Sequence, residues 1–203
     1  MTSHGNAGFT LALTGATGFV GAAVLDAALV QGYRVRALTR RPQPPHPNVE
    51  WIAGDVFNGA ALQTLFAGAD AVFHAAGAIK AKNAAGFMAV NRDGVKNAIA
   101  AAKNAGVRRF ALVSSLAARE PHLSPYAASK CAGEDVLKEN GEGISWTIVR
   151  PPAVYGPRDR EILRLFRAMN WGIAPFIAPP PARRESPAER TSPQGHGSAP
   201  ESP

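Results

Sequence analysis

Short apolar runs and longer amphipathic stretches alternate from residue 9 to about residue 149. The runs at 9–14, 33–39, 49–53, 71–74, 110–114 and 145–149 have the length and continuity of buried strands. Helical patterns fill residues 19–31, 60–67, 84–104 and 126–139. Gly32 and Gly106 stand where a C′ glycine ends the first and the longest of these helices. Apolar strands alternating with helices require a parallel sheet with helices on both faces. The expected class is therefore α/β, a doubly wound parallel sheet in three α/β/α layers, with six strands in the order 3-2-1-4-5-6.

The pattern changes near the end of the chain. Residues 159–171 are expected to form one amphipathic helix, with Ile162, Leu163, Leu165, Phe166 and Met169 on its apolar side. From Ala178 to Pro203 there is no Leu, Ile, Val, Met, Phe, Trp or Tyr. Such a segment cannot bury enough apolar surface to offset the entropy of ordering it. The expected organisation is a dinucleotide-binding domain over 1–172 and a Pro-rich, disordered tail over 173–203.

Composition narrows the function classes. The chain has 203 residues and 46% apolar content, enough for one domain with a full core. No apolar stretch is long enough to span a membrane, and the polar start, Met1 to Gly8, has no signal-peptide h-region. The single cysteine, Cys131, allows no internal disulfide and fits a reducing compartment, so a cytoplasmic location is expected. The five histidines at 4, 46, 74, 122 and 196 show no metal-ligand spacing, so no metal is expected. His74, which closes the fourth apolar run, is expected to belong to the cofactor-side loop rather than to act as a catalyst. A formal charge of +7 suits an anionic ligand such as a phosphorylated cofactor. No aromatic-interleaved basic patch points to nucleic acid.

Four features bear chemistry. Thr14-Gly15-Ala16-Thr17-Gly18-Phe19-Val20-Gly21 follows a strand and opens a helix, the arrangement that turns backbone N–H groups toward a pyrophosphate. Tyr126 and Lys130 lie four apart at a helix start, on one face, where an ammonium lowers a phenol's pKa from ~10 toward neutrality. That spacing alone also occurs by chance. Ser114 and Ser115 end the fifth strand, where a hydroxyl can orient a substrate oxygen or cap a turn. Asn91 is a poor helix former within a long helix. A bound water or a local backbone distortion would explain it, but taken alone it reads as a polar residue on a solvated face.

These features, with Gly54-Asp55-Val56, His74-Ala75-Ala76-Gly77, Val90-Asn91 and Arg150-Pro151-Pro152-Ala153-Val154-Tyr155-Gly156-Pro157, occur in an order that resembles the short-chain dehydrogenase/reductases. The last block resembles their extended branch of nucleotide-sugar epimerases, dehydratases and reductases. The resemblance covers about residues 9 to 172 and implies hydride exchange between a nicotinamide and a carbonyl or secondary alcohol. It implies that Gly15, Ala16, Thr17, Gly18, Phe19, Val20 and Gly21 hold the pyrophosphate, and that Asp55 and Val56 lie along the adenine. Ala75, Ala76 and Gly77 would back the middle of the cofactor, and Pro151 to Val154 would line the nicotinamide end. Tyr126 would be the acid/base, and Lys130 would lower its pKa and hold the nicotinamide ribose. Ser115, before Ser114, would orient the substrate oxygen, and Asn91 would support a water-linked proton path.

Leu38-Thr39-Arg40-Arg41 ends the second strand where an acidic residue would bind the ribose 2′-hydroxyl of NAD. Arg40 instead favours a 2′-phosphate, so NADP is expected over NAD. The family's C-terminal substrate domain is expected to be largely missing after Gly172. That would leave a half-open pocket and poor turnover. A nucleotide-binding protein without turnover and an inactive fragment are the rival expectations. A homodimer through the helices at 84–104 and 126–139 is expected from the relatives.

Overall fold

A computed structural model of the chain describes residues 8–152. The expected helix at 159–171, the boundary at residue 172, the tail and Val154 lie outside the described residues. Strands β1 (Thr10–Thr14), β2 (Arg34–Thr39), β3 (Val49–Ala53), β4 (Ala71–His74), β5 (Arg109–Val113) and β6 (Ser145–Val149) form one sheet ordered β3-β2-β1-β4-β5-β6. All five neighbouring pairs are parallel. The strand order reverses between β1 and β4, so their carboxyl ends part at a crevice, the usual ligand position in such sheets.

The helices are α1 (Phe19–Val30), α2 (Gly59–Phe66), α3 (Ala84–Met88), α4 (Gly94–Asn104) and α5 (Pro125–Asn140). Alternate residues of each strand face opposite layers. Leu11, Leu13, Val35 and Ala37 pack under α1 through Val24, Leu25, Ala28 and Leu29. Ala12, Leu38, Val72, Phe110 and Leu112 pack on the other face against Leu62, Leu65 and Phe66 of α2, Ile99 of α4 and Leu137 of α5. Three layers result, but coverage is uneven. Among the described residues α1 is the only helix on its face. Ala111, Val113, Thr147 and Val149, at the β5–β6 end of that face, remain half-buried or exposed.

Gly32 and Gly106 end α1 and α4 with φ of 76° and 71°. The helix expected over 84–104 is interrupted: a π turn, Ala89–Asp93, separates α3 from α4. Two 3₁₀ turns, Leu116–Arg119 and Pro121–Leu123, occupy the segment between β5 and α5, where the hydrophobic pattern predicted nothing regular. α5 begins at Pro125, one residue after Ser124, whose side chain accepts from the Ala127 N–H at 3.1 Å. No helix among the described residues is long and apolar enough to cross a membrane.

Candidate functional site

The crevice begins with the turn out of β1. Gly15 has φ 72°, and a Cβ there would lie 2.6 Å from the Ala75 carbonyl carbon and the Ala76 nitrogen. Its carbonyl accepts from the Gly18 N–H at 2.9 Å. A Cβ on Gly21 would lie 2.0 Å from that same carbonyl oxygen, so the first turn of α1 packs directly on the loop. Gly18 caps α1 without a side-chain hydrogen bond, and the first turn carries no acidic residue. Free N–H donors at the positive end of a helix suit an anion. Ala16 is buried, Thr17 and Gly18 are exposed, and Phe19 and Val20 are half-buried. A cradle this close to backbone on both sides, with an uncapped helix behind it, fits a dinucleotide's pyrophosphate.

The carboxyl ends of β2 and β3 lie to one side. Val56 is buried; its carbonyl accepts from Asn97 Nδ2 at 3.0 Å, and its side chain occupies the space a Cβ on Gly94 would need. Asp55 Oδ1 accepts from the Phe57 N–H at 2.9 Å. After β2, the Thr39 hydroxyl donates to the Arg41 carbonyl at 2.6 Å and closes a turn that leaves Arg40 and Arg41 exposed. Neither arginine forms an ion pair among the described residues.

On the other side, Thr14 and His74 fasten β1 to β4. Thr14 Oγ1 lies 3.0 Å from His74 Nδ1 and accepts from the Ala76 N–H at 3.2 Å. His74 is the last residue of β4, where the apolar run at 71–74 placed it, fully buried and stacked on Phe110 rather than part of the loop beyond. Burial, and then the charge of Lys130, push its pKa down to about 3, so the ring is neutral. The loop that follows runs past Ala75 and Ala76, both half-buried, to Gly77, which is exposed. A Cβ on Gly77 would lie 3.1 Å from Asn91 Oδ1 and 3.5 Å from Lys130 Nζ, so these three residues meet at one point.

Asn91 is not on a solvated face. It is 2% exposed, at the middle of the π turn. Oδ1 accepts from the Ala78 N–H at 2.8 Å, and Nδ2 donates to the Ala78 carbonyl at 3.0 Å and to Ser129 Oγ at 2.9 Å. Ser129 in turn donates to the Tyr126 carbonyl at 2.7 Å. The extra residue of the π turn directs the amide inward, which is the local distortion that a mid-helix Asn suggested. Gly133 permits the approach of α5, since a Cβ there would lie 2.2 Å from the Asn91 carbonyl oxygen.

Tyr126 lies in the first turn of α5, half-buried, with Phe87 of α3 edge-on at 6.0 Å. Lys130 follows one turn later and is 8% exposed. Its ammonium donates to the Val113 carbonyl at 2.7 Å, and burial lowers its pKa to about 8 against the opposing pull of Glu134. Ser115 caps the first 3₁₀ turn, accepting from the Ala117 N–H at 3.2 Å. The capping alternative is thus realised, while the residue stays half-buried at the crevice edge. The Ser114 hydroxyl is buried and donates to Glu134. Pro151 is half-buried, and its carbonyl accepts from the Leu116 N–H at 3.0 Å. Phe87, Ser129 and Glu134 escaped the sequence reading. For Glu134 the available signal was its place one helical turn beyond Lys130.

An NAD(P)H-binding family model matches residues 15–165 of the chain. The chain is 51% identical over 174 residues to a ceramide reductase of Caulobacter vibrioides (strain NA1000 / CB15N), covering 83% of this chain and 54% of that protein. It is 31% identical over 180 residues to a 3-beta-hydroxysteroid dehydrogenase of Mycolicibacterium neoaurum, covering 75% and 49%. Among solved structures, MoeE5 in complex with UDP-glucose and NAD aligns with a TM-score of 0.71 at 27% identity, over 79% of this chain and 60% of that one. The chain spans about half the length of the curated relatives it matches.

Proposed function

The chain belongs to the NAD(P)H-binding family, as an extended short-chain dehydrogenase/reductase, and from that premise we propose that it reduces or oxidises a lipophilic carbonyl/alcohol pair with NADP. The bound nicotinamide would supply or take up the hydride. The observation that carries this reading is the position of Lys130. Its ammonium is docked on the carboxyl end of β5, one helical turn from Tyr126 and beside Gly77 of the cofactor loop.

In this reading the loop from Gly15 to Gly21 holds the pyrophosphate, with Ala16, Thr17, Phe19 and Val20 fixing its shape. Asp55 and Val56 border the adenine, and Ala75, Ala76, Gly77 and Pro151 back the cofactor. The Tyr126 hydroxyl gives the substrate oxygen its proton on reduction and takes it on oxidation. Lys130 stabilises the phenolate and holds the ribose, and Ser115 orients the oxygen. Asn91 holds the loop at Ala78 and the first turns of α5 in register. Through that placement Asn91 would support the water-linked proton path.

Two features support a lipophilic substrate. The relatives named above act on ceramide and on a hydroxysteroid. Leu116 and Leu123 are exposed in the stretch between Ser115 and Tyr126, and Ile79 is exposed in the loop that follows Gly77. The test is NADPH oxidation across long-chain ketones, a steroid ketone and a UDP-sugar. Turnover confined to the apolar members supports the reading. Cofactor binding without turnover of any member overturns it in favour of a binding protein.

Arg40 supports the choice of NADP, because a free guanidinium at the end of β2 can pair with a 2′-phosphate. Arg40→Ala should weaken NADPH binding about tenfold, or ~1.4 kcal/mol, with NADH affinity unchanged. Equal loss for both cofactors in titration calorimetry would refute this choice.

A further inference from the structure

Lys130 and Glu134 occupy successive turns of α5, and both dock on the carboxyl end of β5. Lys130 donates to the Val113 carbonyl, and Glu134 accepts from the Ser114 hydroxyl. Glu134 is 1% exposed. A buried carboxylate is costly unless paired and fully hydrogen-bonded. Arg150, just beyond β6, meets this need with a fork: Nε donates to Oε1 at 2.8 Å and Nη2 donates to Oε2. Three segments therefore converge on one carboxylate. Burial pushes the Glu134 pKa up, but the hydrogen bonds from Arg150 and Ser114 outweigh it and hold the carboxyl below the usual range. The group is ionised at neutral pH.

We propose that Glu134 is a positioning residue of the site, which locks the helix bearing Tyr126 and Lys130 onto the β5 edge and supplies the negative charge that keeps the buried Lys130 amine protonated. This inference rests on the reading of Lys130 as a member of the reacting pair. Among the described residues the groups around Lys130 are few. Tyr126 and Glu134 flank it on α5, neutral His74 comes from β4 and the Val113 carbonyl from β5. The uncharged Asn91 amide comes from the π turn, and Arg150 lies behind Glu134. Among the described residues Glu134 is the one anion in this set, and no other described group there would replace its charge.

The test is the titration of Lys130 itself, followed by NMR of the full chain labelled at lysine Cε and assigned with Lys130→Met. Glu134→Gln should lower the Lys130 midpoint by about half a pH unit or more, roughly threefold in the ammonium-to-amine ratio. Arg150→Met, which exposes Lys130 to an unbalanced carboxylate, should raise it by about as much. Arg150→Lys and Ser114→Ala keep both charges and should leave it in place. A merely structural role would hydrate Lys130 in every variant and move every midpoint upward; that result, or no movement at all, overturns the proposal. Should Glu134→Gln fail to fold, the contrast between Arg150→Met and Arg150→Lys decides. A parallel NADPH titration of the unmodified chain separates the two readings. Failure to bind would sink the proposed function, yet the Lys130 midpoints would still decide the role of Glu134.

Discussion

Gly15→Ala should abolish the rise in melting temperature that NADPH produces, and should cost about 3 kcal/mol of stability. Two effects add. An L side chain at φ 72° is strained by roughly 1–2 kcal/mol. The new Cβ would also stand 2.6 Å from the backbone of Ala75 and Ala76, which cannot rotate away as a side chain would. That backbone is fixed in turn: the Ala75 N–H donates to the Thr14 carbonyl at 3.1 Å and the Ala76 N–H to Thr14 Oγ1 at 3.2 Å. Relieving the clash breaks those bonds and opens the cradle from both sides. For a domain of this size about 3 kcal/mol corresponds to a fall of about 6–12 °C. Gly32→Ala is the matched control. It has a similar φ of 76° but nothing within 4 Å of the new Cβ. It should show only the strain and keep its response to NADPH, because a ligand that binds the folded state alone must raise the midpoint. Identical responses of the two variants would show that the turn at Gly15 does not hold the cofactor.

The contrast between local and distant partners explains what could be read from sequence. The ends of β3, β4 and β6 match their apolar runs; in β3 and β4 one face is at least partly buried and fixes the apolar positions, whereas β6 keeps no buried position among its five residues. The sheet order follows from parallel crossovers and short connections. The π turn at Asn91 had only an indirect signal, a poor helix former in mid-helix. What makes it favourable is an amide bonded to Ala78, 13 residues away, and to Ser129, 38 away. The Ser114–Glu134–Arg150 cluster lies on a strand end, a helix and a later loop, so no spacing rule unites it. Helical spacing placed Lys130 on the Tyr126 face. It could not show that the ammonium would be spent on the Val113 carbonyl, or that burial would lower its pKa to about 8. In each case the local backbone preference was legible, and the long-range polar partner was not.

Tyr126→Phe and Lys130→Met should both remove turnover, yet move stability differently. Phe keeps the ring against Phe87, so the melting temperature and NADPH affinity should hold while the rate falls about 10²–10⁴-fold. Lys130→Met has a less familiar sign. The folded-state pKa of Lys130 lies below its unfolded value because burial opposes the charge. Below about pH 8 both states carry the proton, and the folded state bears the full cost of burying it. As pH rises from there toward the unfolded value near ~10.4, the unfolded chain holds a proton that the folded chain has released, and stability increases. Met fills much the same volume without a charge. At pH 7 the variant should therefore be more stable by about 1–3 kcal/mol, less whatever the bare Val113 carbonyl costs. The advantage should shrink as pH climbs past 8. Melts of both proteins from pH 6 to 10 measure this directly. A Lys130→Met protein that is less stable at pH 7 would mean that the buried ammonium stabilises the fold, and that Lys130 is not held there at a cost for the sake of the chemistry.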